Sequence, residues 1–195
     1  NPSLSAKALL FCVLTATRTT ETIEASWSEI DLENQIWIIP KARMKREREH
    51  RVPLSANAVA LLKTISRKGD SPWVFNGQSR TKGKHTPLSN MAMLNYLKNT
   101  LGINQTVHGF RSSFRDWAAE KAKFPREVCE QALAHSLKDQ TEAAYQRGDY
   151  FEKRIELMQA WADYCFGVGA EAPAEAEAQQ TSVTDSTMGH KKSLD

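Results

Sequence analysis

The chain has 195 residues, 41% of them apolar and 25% charged, with a formal net charge of +3; this is the composition of a single globular domain with an ordinary core. Cys12, Cys129 and Cys165 are odd in number and lack metal-ligand or redox spacing, which argues against a disulfide framework or a zinc site and for a reducing, intracellular setting. No apolar run approaches the roughly 20 residues that span a bilayer, and the opening NPSLSAK has no signal-peptide character.

In chain order, Ser3 to Ala16 is dense enough in Leu, Phe and Val for a buried helix, and a short second helix is expected over Thr20 to Ser26. The pattern then changes to alternation with β-branched and aromatic residues. Ser28–Leu32, a turn at Glu33-Asn34, Gln35–Ile39 and Arg51–Leu54 predict a small three-stranded antiparallel sheet. Helices resume over Ser55–Arg67, closed by Gly69, and Ser89–Leu101, closed by Gly102, each with a serine placed to cap its first turn. Between them lies a basic loop, Asn76 to Pro87, with Lys82 and Lys84. Further helices are expected over His108–Ala122, Pro125–Ala134 and Phe151–Phe166, the last packing through Phe151, Ile155, Met158, Ala162 and Cys165. The fold class is therefore α+β and mostly helical, without internal repeats.

From residue 167 the chain is rich in Ala, Glu, Ser and Thr, and five acids stand against Lys191 and Lys192. Such a segment cannot repay the entropy of ordering, so residues 1–166 read as the folded domain and 167–195 as an acidic, mobile tail. The folded part is correspondingly more basic than the whole, which is mild evidence for a polyanionic partner.

Four groups of polar residues stand out. The link between the second and third strands, KARMKREREHR, carries Lys41, Arg43, Lys45, Arg46, Arg48 and Arg51 against Glu47 and Glu49. It is either a clamp for a phosphate backbone or a hairpin end kept charged against edge pairing. In VHGFRSSFRDWAAE, Phe110, Phe114 and Trp117 recur on a core-facing side, while His108, Arg111 and Arg115 recur on the opposite one. Those three donors could grip a phosphate or pair with Asp116 and Glu120. Arg18 sits between the first two helices, suited to an anion there or to an ion pair with Glu21 or Glu24. His135, at the end of its helix, could be a cap or a ligand.

The order and spacing of LTATRTTE, WSEIDLENQIWIIP, EHRVPLS, VHGFRSSFRDW, LAHS and AAYQR followed by LMQAWADY resemble the tyrosine recombinases, most closely phage and genomic-island integrases. The resemblance covers residues 9–164 and implies the family's catalytic-domain architecture, with separate DNA-binding domains preceding it in full-length integrases. It places the family's first arginine on Arg18, the hairpin lysine on Lys45 with Lys41 as the alternative, the H-x-x-R pair on His108 and Arg111, the second histidine on His135 and the nucleophile on Tyr145. Lys41, Arg43, Arg46, Arg48, Lys82, Lys84 and Arg115 are then expected on DNA phosphates. Where relatives commonly have glycine, this chain has Ala16 and Ala134, so the backbone there is expected to avoid conformations that only glycine tolerates.

The implied activity is site-specific recombination of a mobile element in the cytoplasm. It acts on double-stranded attachment sites, with a homotetramer in the full-length protein, through a 3′-phosphotyrosine and without metal, ATP or other cofactor. A catalytically dead DNA-binding remnant and a type IB topoisomerase-like relaxation are the alternatives.

Overall fold

The computed structural model describes residues 2–45, 47–79, 81, 83–135 and 148–168. Helix α1 (Leu4–Thr15) opens with the Ser3 hydroxyl accepting from the Ala6 N–H, and α2 (Thr19–Ile23) follows after Ala16, Thr17 and Arg18. A three-stranded antiparallel sheet comes next, ordered β1 (Ile30–Asp31), β2 (Ile36–Ile39), β3 (His50–Pro53), with Trp37 opposite Ile30 on one side and Val52 on the other. The β1–β2 turn is closed by Asp31, whose carboxylate accepts from the backbone N–H groups of Glu33 and Asn34, an Asx turn that a short acid favours. The expected sheet is present, but its first strand is shorter because Trp27–Glu29 forms a 3₁₀ turn capped by Ser26.

Helices α3 (Ala56–Lys63), α4 (Ala92–Asn95), α5 (Gly109–Glu120), α6 (Arg126–Ala132) and α7 (Phe151–Cys165) complete the described residues. Several differ from expectation. α3 stops at Lys63, where the Thr64 hydroxyl donates to the Leu61 carbonyl; Gly69, with φ +53, belongs to a later turn. The segment expected as one helix from Ser89 turns at Ser89, becomes helical at Ala92 and continues as a π-helical stretch over Tyr96–Thr100 before the left-handed Gly102 ends it.

Two apolar clusters form the core. The first packs α1, the sheet, α3 and α4 around Phe11, Trp37, Leu62 and Phe75. The second joins α5, α6 and α7 around Phe114, Trp117, Leu133 and Trp161. Each large side chain so buried contributes roughly 1.5–3 kcal/mol. α5 sits at the junction, since its Phe110 packs on the first cluster and its Phe114 and Trp117 on the second. α7 crosses the same junction: the Trp161 indole N–H donates to the Val13 carbonyl at 2.8 Å, and Gln159 Oε1 accepts from the Ala56 N–H at 2.9 Å.

The expected stripe on α7 is corrected. Its buried residues are Arg154, Leu157, Met158, Trp161 and Ala162, whereas Ile155 and Cys165 are exposed. Arg154 displaces the register because it is itself a core residue, 1% exposed. Its guanidinium donates to the Arg51 carbonyl at 2.6 Å, the Asp149 carbonyl at 2.7 Å and the Asp149 carboxylate at 2.6 Å. A cation so fully paired can be buried without an orphan charge, and it fastens the start of α7 to β3.

Candidate active site

Arg111 organises the site. It lies on α5 yet is only 5% exposed, so the expected single surface carrying His108, Arg111 and Arg115 does not exist: His108 and Arg115 are exposed, and Arg111 points inward. Its guanidinium donates to the Ala16 carbonyl at the end of α1 and, at 2.8 Å, to the Leu133 carbonyl at the end of α6. Carbonyls at helix C-termini carry partial negative charge, which lets a guanidinium be buried without a carboxylate partner. Burial first, and the neighbouring Arg18 second, push its pKa down to about 10, so it remains a cation at neutral pH. Among the described residues its Nε–H has no hydrogen-bond partner.

The two helix ends that receive Arg111 also deliver the other donors. Ala16 (φ 50) and Ala134 (φ 49) are both left-handed, in the region that glycine favours but alanine also tolerates. A non-glycine residue occupies it at a cost of roughly 1–2 kcal/mol. The reason is the helix termination itself. After α6 the His135 N–H returns to the Glu130 carbonyl at 2.9 Å and the Ala134 N–H to the Gln131 carbonyl at 3.0 Å, a double closure that requires Ala134 itself to be left-handed. The turn at Ala16 leads the chain to Arg18, and the turn at Ala134 leads it to His135.

Arg18 is held by Glu21, whose carboxylate accepts from the Arg18 guanidinium at 2.6 Å and from its backbone N–H at 2.8 Å. Glu21 is almost wholly buried, while the Arg18 side chain keeps 28% of its surface. Of the two acids weighed for Arg18, the structure selects Glu21 because it also caps the first turn of α2. His135 Nε2 stands 3.4 Å from the Arg111 guanidinium. Burial lowers the His135 pKa; Glu130 opposes the shift, and Arg111 and Arg18 add to it. Arg18, Arg111 and His135 thus converge, two cations and an imidazole within electrostatic reach of one another.

His108 stands just before α5, exposed and making no side-chain capping hydrogen bond, about one turn before Arg111. Lys45 and Lys41 are both exposed on the β2–β3 link. That link is tethered by Met44, buried in the first cluster, and by Arg43. The latter donates to the carbonyls of Glu21 and Glu24 and pairs with Glu29, so it is a structural anchor and not a free phosphate contact. Arg115 is likewise engaged, pairing with Glu130 at 3.0 Å in place of Asp116 or Glu120. Arg48 and Lys84 are exposed. Tyr145, Arg46, Lys82 and the tail beyond residue 168 lie outside the described residues.

Sequence reasoning named Glu21 only as one of two alternatives and missed Glu130 and His50. His50 on β3 is buried, and burial first, then Arg154, lower its pKa to about 4. The available signal for both acids was position: Glu21 lies three residues after Arg18, and Glu130 interrupts the apolar stretch leading to His135.

Among the described residues no group of three or more His, Cys, Asp or Glu is placed to hold a metal ion, and no helix is long and apolar enough to cross a membrane. The sequence pattern of the phage integrase family matches residues 2–151. Prophage integrase IntA of Escherichia coli (strain K12) is 40% identical over 164 residues, covering 83% of this chain and 39% of that protein. The integrase of Shigella phage Sf6 is 34% identical over 154 residues, 77% of this chain and 39% of that one. The chain therefore spans about two-fifths of the length of these relatives. Among solved structures, the integrase from mycobacterium phage Brujita superposes with a TM-score of 0.61 at 16% identity, covering 82% of this chain and 52% of that one. The XerA recombinase does so with 0.52 at 16% identity, over 80% and 62%. A chain that shares this fold, and that matches the family over most of its length in the segments carrying Arg18, His108, Arg111 and His135, belongs to the phage integrase family.

Proposed function

We propose that the chain is the catalytic part of a site-specific recombinase that cuts and rejoins DNA through a 3′-phosphotyrosine, with Tyr145 as nucleophile. The observation that carries this reading is that a buried Arg111 guanidinium contacts His135 and the ends of both left-handed turns, with Arg18 within electrostatic reach of both. Two permanent cations and a hydrogen-bonding imidazole match a phosphodiester, which is already an anion and gains charge on its equatorial oxygens as a fifth ligand approaches phosphorus. Neither arginine needs to reorganise when that charge appears, because each is already fixed by hydrogen bonds.

The chemistry balances without redox or an energy source. The Tyr145 hydroxyl oxygen forms a bond to phosphorus as the bond from phosphorus to the 5′ oxygen breaks. Tyrosine titrates near 10, so its proton must depart during attack, and His108 at the open end of α5 is the acceptor. The departing 5′ oxygen takes a proton from Lys45 on the β2–β3 link. The phosphotyrosine stores the bond energy until a 5′ hydroxyl of another strand attacks it. The reaction needs neither metal nor nucleotide, and its substrates are paired double-stranded attachment sites in the cytoplasm, held by four copies of the longer protein.

A nicked suicide substrate, in which cleavage releases a short strand that diffuses away, tests this directly. The wild-type chain is expected to accumulate a covalent DNA adduct in the presence of a chelator and without nucleotide, and Tyr145→Phe is expected to form none while still binding DNA. An adduct in Tyr145→Phe, or one that appears only when a divalent metal is added, contradicts the reading.

A further inference from the structure

Glu130 is an acid where acids are costly. It lies in the last turn of α6, where the helix dipole disfavours negative charge, and it is 8% exposed. A carboxylate is kept in such a place only when cations or donors compensate it. Its two oxygens have different partners: Oε1 accepts from Arg115 Nε at 3.0 Å, and Oε2 from His135 Nδ1 at 2.8 Å. Its backbone carbonyl accepts from the His135 N–H as well. The side chain and main chain of one residue therefore fix both the ring and the backbone of His135.

The geometry also determines which ring nitrogen carries the hydrogen. A guanidinium can only donate, so the nitrogen facing Arg111, Nε2, must offer its lone pair. A carboxylate can only accept, so Nδ1 carries the proton. We infer that Glu130 is a positioning residue for the phosphate site: its carboxylate locks His135 in the Nδ1–H form and supports the imidazolium when a phosphodiester enters. This rests on the recombinase reading of the site. A phosphate oxygen arriving between Arg18 and Arg111 takes over Nε2, whose 3.4 Å contact with Arg111 is long, while the two carbonyls keep Arg111 in place. The ring takes a proton from solvent at Nε2 and donates it in a hydrogen bond to that oxygen, with Glu130 balancing the new positive charge.

The groups facing His135 among the described residues are Glu130 from α6, Arg111 from α5 and Arg18 from the start of α2. Both arginines oppose protonation, and Glu130 is the carboxylate that favours it. Losing its charge must lower the pH at which His135 takes up its second proton.

The test is NMR on protein labelled with ¹⁵N in histidine, without DNA. Wild type is expected to show Nδ1 protonated and Nε2 bare. In Glu130→Gln the titration midpoint of His135 is expected to fall by about one pH unit, while Arg115→Ala retains the wild-type tautomer. A wild-type ring protonated at Nε2 instead, or the same midpoint in wild type and Glu130→Gln, overturns the inference. The wild-type tautomer decides the matter even if a variant fails to fold. On the suicide substrate, Glu130→Gln is expected to lose cleavage at pH 8 and regain it as the pH is lowered. A loss of equal size at every pH would mark Glu130 as structural only. Absence of any adduct in wild type would count against the recombinase reading, leaving the NMR result to stand by itself.

Discussion

In the proposed reaction a guanidinium buried among helix ends and an exposed lysine on a tethered link do different work at the same phosphate. Arg111 is fixed by two main-chain carbonyls, so its removal would damage the fold together with the chemistry. Lys45 is exposed, so its role can be isolated. Lys45→Ala is expected to slow cleavage by about 10²–10⁴-fold, and a substrate with sulfur at the bridging 5′ position, whose thiolate leaves without a proton, should recover most of that loss. If the sulfur substrate instead rescues Lys41→Ala, the general acid is Lys41. Which basic residues are free and which are anchors was not legible in the sequence. Arg43 and Arg115 look like their neighbours in composition, and only the positions of Glu21, Glu24, Glu29 and Glu130 in space reveal that both are engaged.

The helix ends show why residues distant in sequence share one site. The α1 and α6 termini each stop on a left-handed alanine, expose a carbonyl to Arg111 and hand the chain to Arg18 or His135. Ala134 occupies the position that glycine usually fills in this kind of helix stop. Ala134→Gly is expected to leave stability unchanged or raise it by up to about 1 kcal/mol, and Ala134→Val to lower it by more than about 1 kcal/mol, because a β-branched residue is strongly disfavoured at positive φ. Urea unfolding of both variants checks this, and a glycine variant less stable than the valine one would contradict it. The three-stranded sheet, the order of the helices and the register of α5 for Phe114 and Trp117 followed from periodicity together with turn and cap residues, apart from the shorter first strand and the divided helix after Ser89. The α7 register did not, since Arg154 reads as a surface residue until its three acceptors from Asp149 and Arg51 are seen. The left-handed alanines were hidden for a similar reason: the hydrogen bonds that demand them are made by the main chain.

At the scale of the molecule, Arg111 and His50 are buried against the core, so ionisation there bears on global stability. His50 is buried beside Arg154, and its folded-state pKa of about 4 lies below the ordinary 6.5. The unfolded chain therefore binds the proton more readily, and stability present above pH 6.5 is lost as the pH falls toward 4. Between pH 7 and pH 5 this one group should account for about 2 kcal/mol. Urea unfolding is expected to show that slope in wild type and a slope reduced by that amount in His50→Gln; equal slopes would mean His50 is not held neutral. The overall fold and the family were legible in the order of six short motifs, and the chemistry proposed for them depends on one residue, Tyr145, which lies outside the described residues. Tyr150 is its nearest competitor. It is half-buried, packs on the second core cluster and immediately precedes α7, which suits a structural ring. The decisive measurement is peptide mapping of the covalent complex trapped on the nicked suicide substrate: the nucleotide is expected on Tyr145, and a nucleotide on Tyr150 or on any other side chain would rule Tyr145 out as the nucleophile.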